Sequence, residues 1–145
     1  MKLAIIGSTT FTDYKLLCKT LEPYKDKVTL VVSGAAKGAD TLGAKWSREV
    51  LKKEPLEFPA DWENLEVEPC RVKTRSDGTK YNVLAGFNRN TIIVENADVV
   101  IAFWDGRSKG TRDSLYKCDK AGKPRKIIRY LKEDTIENTN RFFKI

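Results

Sequence analysis

Apolar runs and amphipathic segments alternate along this chain. Continuous apolar runs at residues 2–6, 28–32 and 97–104 predict strands that are covered on both faces. Between them, apolar side chains recur every three or four positions, as in a helix near 14–21 that Thr12 or Asp13 would cap. Strands that alternate with helices pair in parallel through right-handed crossovers. The pattern therefore indicates an α/β fold.

The other predicted elements complete one sheet. Helices are predicted after Gly38 and over 84–96 and 111–121, and strands near 56–58 and 125–131. We expect a three-layer, doubly wound parallel sheet with the strand order 3-2-1-4-5, because each crossover covers one face. Ligands of such sheets bind beyond the carboxyl ends of the strands, at the switch between strands one and four. This topology brings together the turns at 7–12, 33–40 and 104–111.

One long connection interrupts the alternation. Between residues 60 and 82, a turn at Ser76-Asp77-Gly78 predicts a hairpin. We expect one domain over 1–145 with a hairpin or lid insertion at about 63–83. A lid over a ligand and a solvated excursion both remain open. The insertion is basic, with Arg71, Lys73, Arg75 and Lys80.

The turn after the second strand predicts an anion site. A helix start leaves backbone N–H groups without partners at the positive end of the dipole, and glycine lets a ligand approach the backbone. The turn is not a Walker A loop, because Ala39-Asp40 stands where Lys-Ser/Thr would be. Asp40 could cap its helix, hydrogen-bond ribose hydroxyls or anchor the neighbouring turn. The candidate ligand-binding residues here are Gly34, Ala35, Ala36, Lys37, Gly38 and Asp40.

Two further turns extend this predicted site. Gly7, Ser8 and Thr9 follow the first strand and offer hydroxyl and N–H groups. A second anion cradle is predicted at the start of the last helix, where a lysine adds a full charge. It comprises Ser108, Lys109, Gly110 and Thr111. Two cradles in one small chain predict a phosphorylated, nucleotide-like ligand.

Four further side chains have two interpretations each. Arg89 could grip a phosphate and Asn90 could read a base edge or a ribose hydroxyl, or both could make ordinary helix-surface contacts. Trp104 could stack on a base or belong to the core, and Trp62 carries the same ambiguity.

Composition narrows the chemistry. The 145-residue chain has no histidine, which excludes Ser-His and Cys-His nucleophilic catalysis, and we expect neither a metal site nor a required cofactor. Three cysteines without a CxxC pair indicate reduced thiols. The net charge of +7 suits an anionic partner, but basic residues spread along the chain favour a solvated surface over nucleic acid. Without a membrane-length apolar run or a signal peptide, we expect a cytoplasmic protein and no membrane partner.

The ordered motifs resemble the YspA-like, cpYpsA-related branch of the SLOG superfamily, over roughly residues 3 to 128. Relatives of this superfamily include the DNA-processing protein DprA and the Lonely Guy nucleotide hydrolases. The residues that carry the resemblance are Gly7-Ser8, Phe11-Thr12-Asp13, Val32 to Asp40, Phe58-Pro59-Ala60-Asp61-Trp62, Arg89-Asn90, Ala97-Asp98 and Ser108 to Thr111.

The resemblance implies a Rossmann-like, SLOG-type domain that binds or senses a nucleotide or a nucleotide-derived molecule, in some relatives during defence against phage. It also implies a homodimer, to which Phe142 and Phe143 could contribute. The Lonely Guy hydrolases carry a glutamate three residues after a Gly-Thr pair, where this chain has Ser114. We therefore expect a binder more than an N-glycosidic-bond hydrolase or transferase, whose candidate carboxylates would be Asp40, Asp105 or Asp113. A DprA-like nucleic-acid partner stays as a third alternative.

Overall fold

The computed structural model describes residues 1–130, and its centre is a parallel sheet of five strands. In spatial order these are β3 (Leu56–Glu57), β2 (Leu30–Ser33), β1 (Lys2–Gly7), β6 (Val99–Trp104) and β7 (Arg125–Arg129). All four pairings are parallel. The predicted order of the parallel strands, 3-2-1-4-5, is confirmed, because β6 and β7 are the fourth and fifth strands of this sheet.

Helices cover both faces of the sheet. They are α1 (Tyr14–Leu21), α2 (Ala39–Trp46), α3 (Ala85–Asn96) and α4 (Lys109–Lys120). Asp13 caps α1 by accepting a hydrogen bond from the Leu16 N–H at 2.9 Å. A 3₁₀ turn (Glu22–Tyr24) follows α1, and a π-helical turn (Ser47–Leu51) continues α2.

Strand β1 shows why the central strands are apolar throughout. Leu3 and Ile5 pack with α1 and α2 on one face, whereas Ala4 and Ile6 pack with α3 and α4 on the other. All four side chains are buried, because successive residues of a strand point to opposite faces. The result is a three-layer arrangement with a core on each side of the sheet.

A small antiparallel hairpin lies outside the main sheet. It consists of β4 (Val72–Thr74) and β5 (Lys80–Asn82). Asn82 anchors it, because its N–H donates to the Trp62 carbonyl at 2.8 Å and its side-chain oxygen accepts from the N–H groups of Arg71 and Leu84. The hairpin is therefore tied both to the preceding loop and to the start of α3.

Three further expectations concern the surface and the thiols. No helix within residues 1–130 is long and apolar enough to span a membrane. The three cysteines are free thiols, with Cys118 buried and Cys18 and Cys70 half-buried. Phe142 and Phe143 lie outside the described residues.

Candidate functional site

A cavity of about 230 Å³ opens at the carboxyl end of β1, between the loops that follow β1 and β2 and the helices α3 and α4. Its position is the switch point of the sheet, where β1 is flanked by β2 on one side and β6 on the other. Nine of the residues proposed from the sequence line it. They are Gly7, Thr9, Ala36, Asp40, Arg89, Asn90, Ser108, Gly110 and Thr111.

The loops after β1 and β2 are in direct contact. Ala39 donates its N–H to the Ser8 carbonyl at 3.2 Å, and a Cβ on Gly38 would lie only 2.4 Å from that same oxygen. Gly38 also has a φ of +76°, which glycine adopts without strain. The glycine is therefore required for the two loops to approach each other.

Ser8 joins this contact to β6. Its N–H donates to the Phe103 carbonyl at 2.9 Å, and its hydroxyl accepts from the Asp105 N–H at 3.0 Å. The side chain is buried and does not line the cavity. Ser8 therefore braces the loops, and the direct ligand contact expected of it is not what its position supports.

The turn after β2 is already stabilised by the protein's own side chains. Ala35 has a φ of +57°, which is rare for a residue with a Cβ, and its N–H donates to the Ser33 hydroxyl at 3.2 Å. The Ala36 N–H donates to the Asp40 carboxylate, also at 3.2 Å. Gly34, Ala35, Lys37 and Gly38 do not line the cavity, so only Ala36 and Asp40 of this turn face it.

Other backbone N–H groups in the three loops remain available to a ligand. Within residues 1–130 these N–H groups make no hydrogen bond, in contrast to those of Ala36 and Ala39. Thr9 and Gly110 line the cavity, and the others adjoin lining residues in sequence. They belong to Thr9, Thr10, Lys37, Gly38, Lys109 and Gly110.

Asp40 and Arg89 place opposite charges on either side of Gly34. A Cβ on Gly34 would lie 2.7 Å from both the Arg89 Nη1 and the Asp40 Oδ2. Arg89 donates to the Gly34 carbonyl and thereby ties α3 to the turn after β2. Burial raises the pKa of Asp40 to about 6, against the lowering effects of the Ala36 hydrogen bond and the Arg89 charge. Burial lowers the pKa of Arg89, and the Asp40 charge opposes that effect.

The other two candidate carboxylates do not line the cavity. Asp113 forms an ion pair with Lys117 at 2.7 Å and accepts from the Asn90 amide at 3.1 Å, in the seam between α3 and α4. Asp105 accepts the N–H groups of Arg107 and Ser108, both at 2.8 Å. Partial burial acts to raise the pKa of Asp105, but these hydrogen bonds outweigh it and lower the pKa. Both carboxylates stabilise the fold.

The start of α4 keeps its own cap. Ser108 accepts a weak hydrogen bond from the Thr111 N–H at 3.5 Å, and the Asn90 amide donates to the Gly110 carbonyl at 3.1 Å. Lys109 is exposed and does not line the cavity, although its N–H makes no hydrogen bond. The NH₂ group of Asn90 is thus engaged by the protein, which leaves only its oxygen for the proposed role in reading a base edge.

The two ambiguous tryptophans differ in their surroundings. Trp104 is only 6% exposed, belongs to the core, and donates its indole N–H to the Ser108 carbonyl at 3.1 Å. This position argues against its proposed stacking on a ligand, because the ring is buried and its N–H donates within the protein. Trp62 is 41% exposed and lines the cavity together with Phe87. Phe87 was not among the predicted site residues, because nothing in the sequence around it distinguishes it from other aromatic residues of the chain.

A larger cavity of about 540 Å³ lies on the other side of Arg89, between the loop at 57–69 and α3. Its wall carries Glu57, Asp61 and Glu68. Three carboxylates oppose the binding of an anion, so the smaller cavity is the better phosphate site.

The fold and the cavity together define a doubly wound α/β protein with a cavity at its switch point. The chain belongs to the YspA, cpYpsA-related SLOG family, whose model matches residues 1–64. The Gene 61 protein of Mycobacterium phage D29 is 36% identical over 100 residues, which cover 66% of this chain and 67% of that protein.

Two solved structures share the fold. DNA processing protein A from Helicobacter pylori matches with a TM-score of 0.63 and 18% identity, over 99% of this chain and 72% of that one. The Streptococcus pneumoniae protein of the same name matches with a TM-score of 0.66 and 19% identity, over 99% of this chain and 56% of that one. The SLOG-type, Rossmann-like fold predicted from the sequence is thereby confirmed.

Proposed function

We propose that this protein binds a phosphorylated nucleotide, or a small molecule derived from one, at the carboxyl ends of the parallel strands. The observation that carries the proposal is a cavity at the switch point whose wall combines the Arg89 guanidinium with the N–H groups of Thr9 and Gly110, which have no partner within residues 1–130. Membership of the SLOG family supports a nucleotide or nucleic-acid ligand.

Electrostatics favour a phosphate at this place. The amino-terminal ends of α2 and α4 carry the positive ends of their dipoles, and Arg89 adds a full positive charge to the wall. Asp40 is the opposing charge. Because its pKa is raised, it carries less negative charge near pH 6 than an ordinary carboxylate does. The balance therefore favours an anion over a cation.

Lys109 lies between Ser108 and Gly110, which line the cavity. Substitutions at Lys109 can separate the contribution of its backbone N–H to phosphate binding from that of its ammonium charge. Lys109 is the first residue of α4, where proline is tolerated, and the preceding Ser108 has the extended ψ of 120° that precedes proline readily. Lys109→Pro removes both the N–H group and the ammonium, whereas Lys109→Ala removes only the ammonium. Lys120→Ala, an exposed lysine at the other end of α4, is the matched control.

The assay is calorimetric titration of each variant with AMP, GMP, CMP, UMP and the matching nucleosides. A hydrogen bond to a charged group contributes about 1.5–3 kcal/mol, so Lys109→Pro should bind nucleoside monophosphates about ten- to 150-fold more weakly than Lys109→Ala. Nucleosides without a phosphate should bind weakly to every variant. Equal affinities for Lys109→Pro and Lys109→Ala, with both folded, would contradict the proposed cradle.

A single-stranded nucleic acid is the second candidate ligand. The Helicobacter pylori protein that shares the fold is described as binding single-stranded DNA. On this chain the hairpin exposes Arg71, Lys73 and Lys80, while Arg75 is paired with Glu63 at 3.1 Å. These three exposed cations are the surface on which a phosphate backbone could bind.

Catalysis of N-glycosidic cleavage is less well supported. Asp40 is the one candidate carboxylate that lines the cavity, because Asp105 and Asp113 are held by other groups. Release of free base by the purified protein, lost in Asp40→Asn, would favour this activity. Sensing of a signal, and a role in phage defence or counter-defence, stay predictions.

A further inference from the structure

The three tryptophans of this chain have unequal exposure. Trp46 and Trp104 are buried, whereas Trp62 is 41% exposed although it lines the cavity. A large aromatic side chain normally buries most of its surface, because that surface gains about 25 cal/mol per Å² when it leaves water. An indole that stays exposed inside a concave site is therefore a surface on which a ligand can be buried.

Trp62 is held in place by its neighbours. Its carbonyl accepts the Asn82 N–H at 2.8 Å, and its ring lies edge-on to Tyr81 with the centroids 6.5 Å apart. A Cβ on Gly86 would lie 3.3 Å from the edge of the indole, so the glycine leaves room for the ring against the start of α3. Stacking on such a braced ring costs little conformational entropy.

The polar groups and the exposed apolar side chains that line the cavity come from different segments of the chain. Its polar groups come from the loops after β1 and β2, from α3 and from the start of α4, and include Thr9, Arg89 and Gly110. Its exposed apolar side chains come from the segment 62–87, where Phe87 is 37% exposed. A ligand that satisfies both parts has an anionic end and a planar apolar end.

We propose that Trp62, with Val83 and Phe87, forms a stacking surface for the base of the ligand, and that the site is specific for nucleotides over sugar phosphates. This inference rests on the proposed function, since the phosphate at the loops sets the orientation. The loop before the hairpin is then a specificity element of the site.

Recognition of the base by its edges is limited in this arrangement. The Asn90 NH₂ group donates to the Gly110 carbonyl and to Asp113, so this amide offers a base only its oxygen, and the Asn88 NH₂ group donates to the Pro69 carbonyl at 2.9 Å. A cavity of about 230 Å³ is also smaller than the roughly 300–1,000 Å³ of typical ligand pockets, so the base lies at the rim beside the half-exposed indole. Stacking strength alone should then favour purines modestly over pyrimidines.

The test compares two probes on four proteins. The probes are ribose 5-phosphate and whichever of AMP, GMP, CMP and UMP binds the wild type most tightly. The proteins are the wild type, Trp62→Ala, Trp62→Phe, and the control Tyr116→Ala, which removes a 63% exposed aromatic ring from α4 outside the cavity. Thermal unfolding verifies that each variant is folded.

Trp62→Ala should weaken the nucleotide about 5- to 150-fold and leave ribose 5-phosphate within about twofold. Trp62→Phe should restore part of the nucleotide affinity, and Tyr116→Ala should change neither probe. Nucleotide binding should also quench tryptophan fluorescence in the wild type and not in Trp62→Phe.

Two results would overturn the inference in distinguishable ways. If Trp62→Ala binds the nucleotide as the wild type does, or loses both probes equally, the stacking surface is wrong and the phosphate site stands. If the wild type binds neither the nucleotides nor ribose 5-phosphate, the proposed function fails and the stacking surface fails with it.

Discussion

The buried carboxylate of Asp40 makes the stability of this protein depend on pH in an unusual direction. Asp40 is 7% exposed, and burial raises its pKa from 3.8 to about 6. Asp40→Asn keeps the shape of the side chain and an oxygen that can accept the Ala36 N–H, but it cannot ionise. Comparing the two proteins isolates the effect of that one proton.

The sign and size follow from the two pKa values. Between pH 3.8 and 6 the folded protein holds a proton that the unfolded chain has released, so the free energy of unfolding falls as the pH rises. One pKa unit corresponds to about 1.4 kcal/mol, so the shift predicts a loss of about 3 kcal/mol. This contribution is fully present below pH 3.8 and is lost as the pH passes 6.

Urea unfolding at pH values from about 4 to 7.5 measures the effect. The difference in unfolding free energy, Asp40→Asn minus wild type, should rise by about 2.4 kcal/mol across this range, which is most of the full effect. Asp26→Asn, which changes an exposed aspartate, is the control and should follow the wild type. A difference that stays flat would mean that Arg89 and the Ala36 N–H keep Asp40 ionised at its ordinary pKa, and it would refute the reasoning.

Three further predictions concern packing, capping and charge. Lys123→Met should lower the unfolding free energy by about 1–3 kcal/mol in urea, because its ammonium donates to the carbonyls of Val94 and Ala97 at the end of α3; no change would refute this. Gly43→Ala should cost about 1–3 kcal/mol by thermal unfolding, since its Cβ would lie 2.7 Å from Ile5 Cγ2 and 2.8 Å from Ile5 Cβ; an unchanged melting temperature would contradict this. If single strands bind the hairpin, Lys73→Glu with Lys80→Glu should reduce the salt dependence of that binding; an unchanged slope would exclude this surface.

The parallel sheet could be predicted because its strands are covered on both sides. Leu3 and Ile5 are buried on one face while Ala4 and Ile6 are buried on the other, and this produces the continuous apolar run that the sequence displays. The loops of the site could be predicted from their glycines for a similar reason. A side chain at Gly38 would collide with neighbouring backbone atoms, so the turn requires a glycine there.

The side chains that face the cavity were harder to predict, because contacts distant in sequence decide them. The sequence left both Trp104 and Trp62 open between the core and a ligand contact, but the end of β6 is enclosed by α4, and the ring of Trp104 lies 6.0 Å from the Arg112 guanidinium. One partner of Asp113 could be predicted from the sequence, since Lys117 lies four residues later at the spacing of a helical ion pair. Its second partner, Asn90, belongs to α3 and could be found only from the fold.

The turn after β2 contributes to folding and to the proposed binding at the same time, and this determines which variants are informative. Gly34 lies between Arg89 and Asp40, and Gly38 lies against Ser8, so a side chain at either glycine would disturb the packing before any ligand is present. Loss of binding in such variants cannot be separated from loss of structure. Lys109 and Trp62 are exposed and can be replaced without that clash. They are therefore the positions at which the phosphate end and the base end of the site can be tested independently.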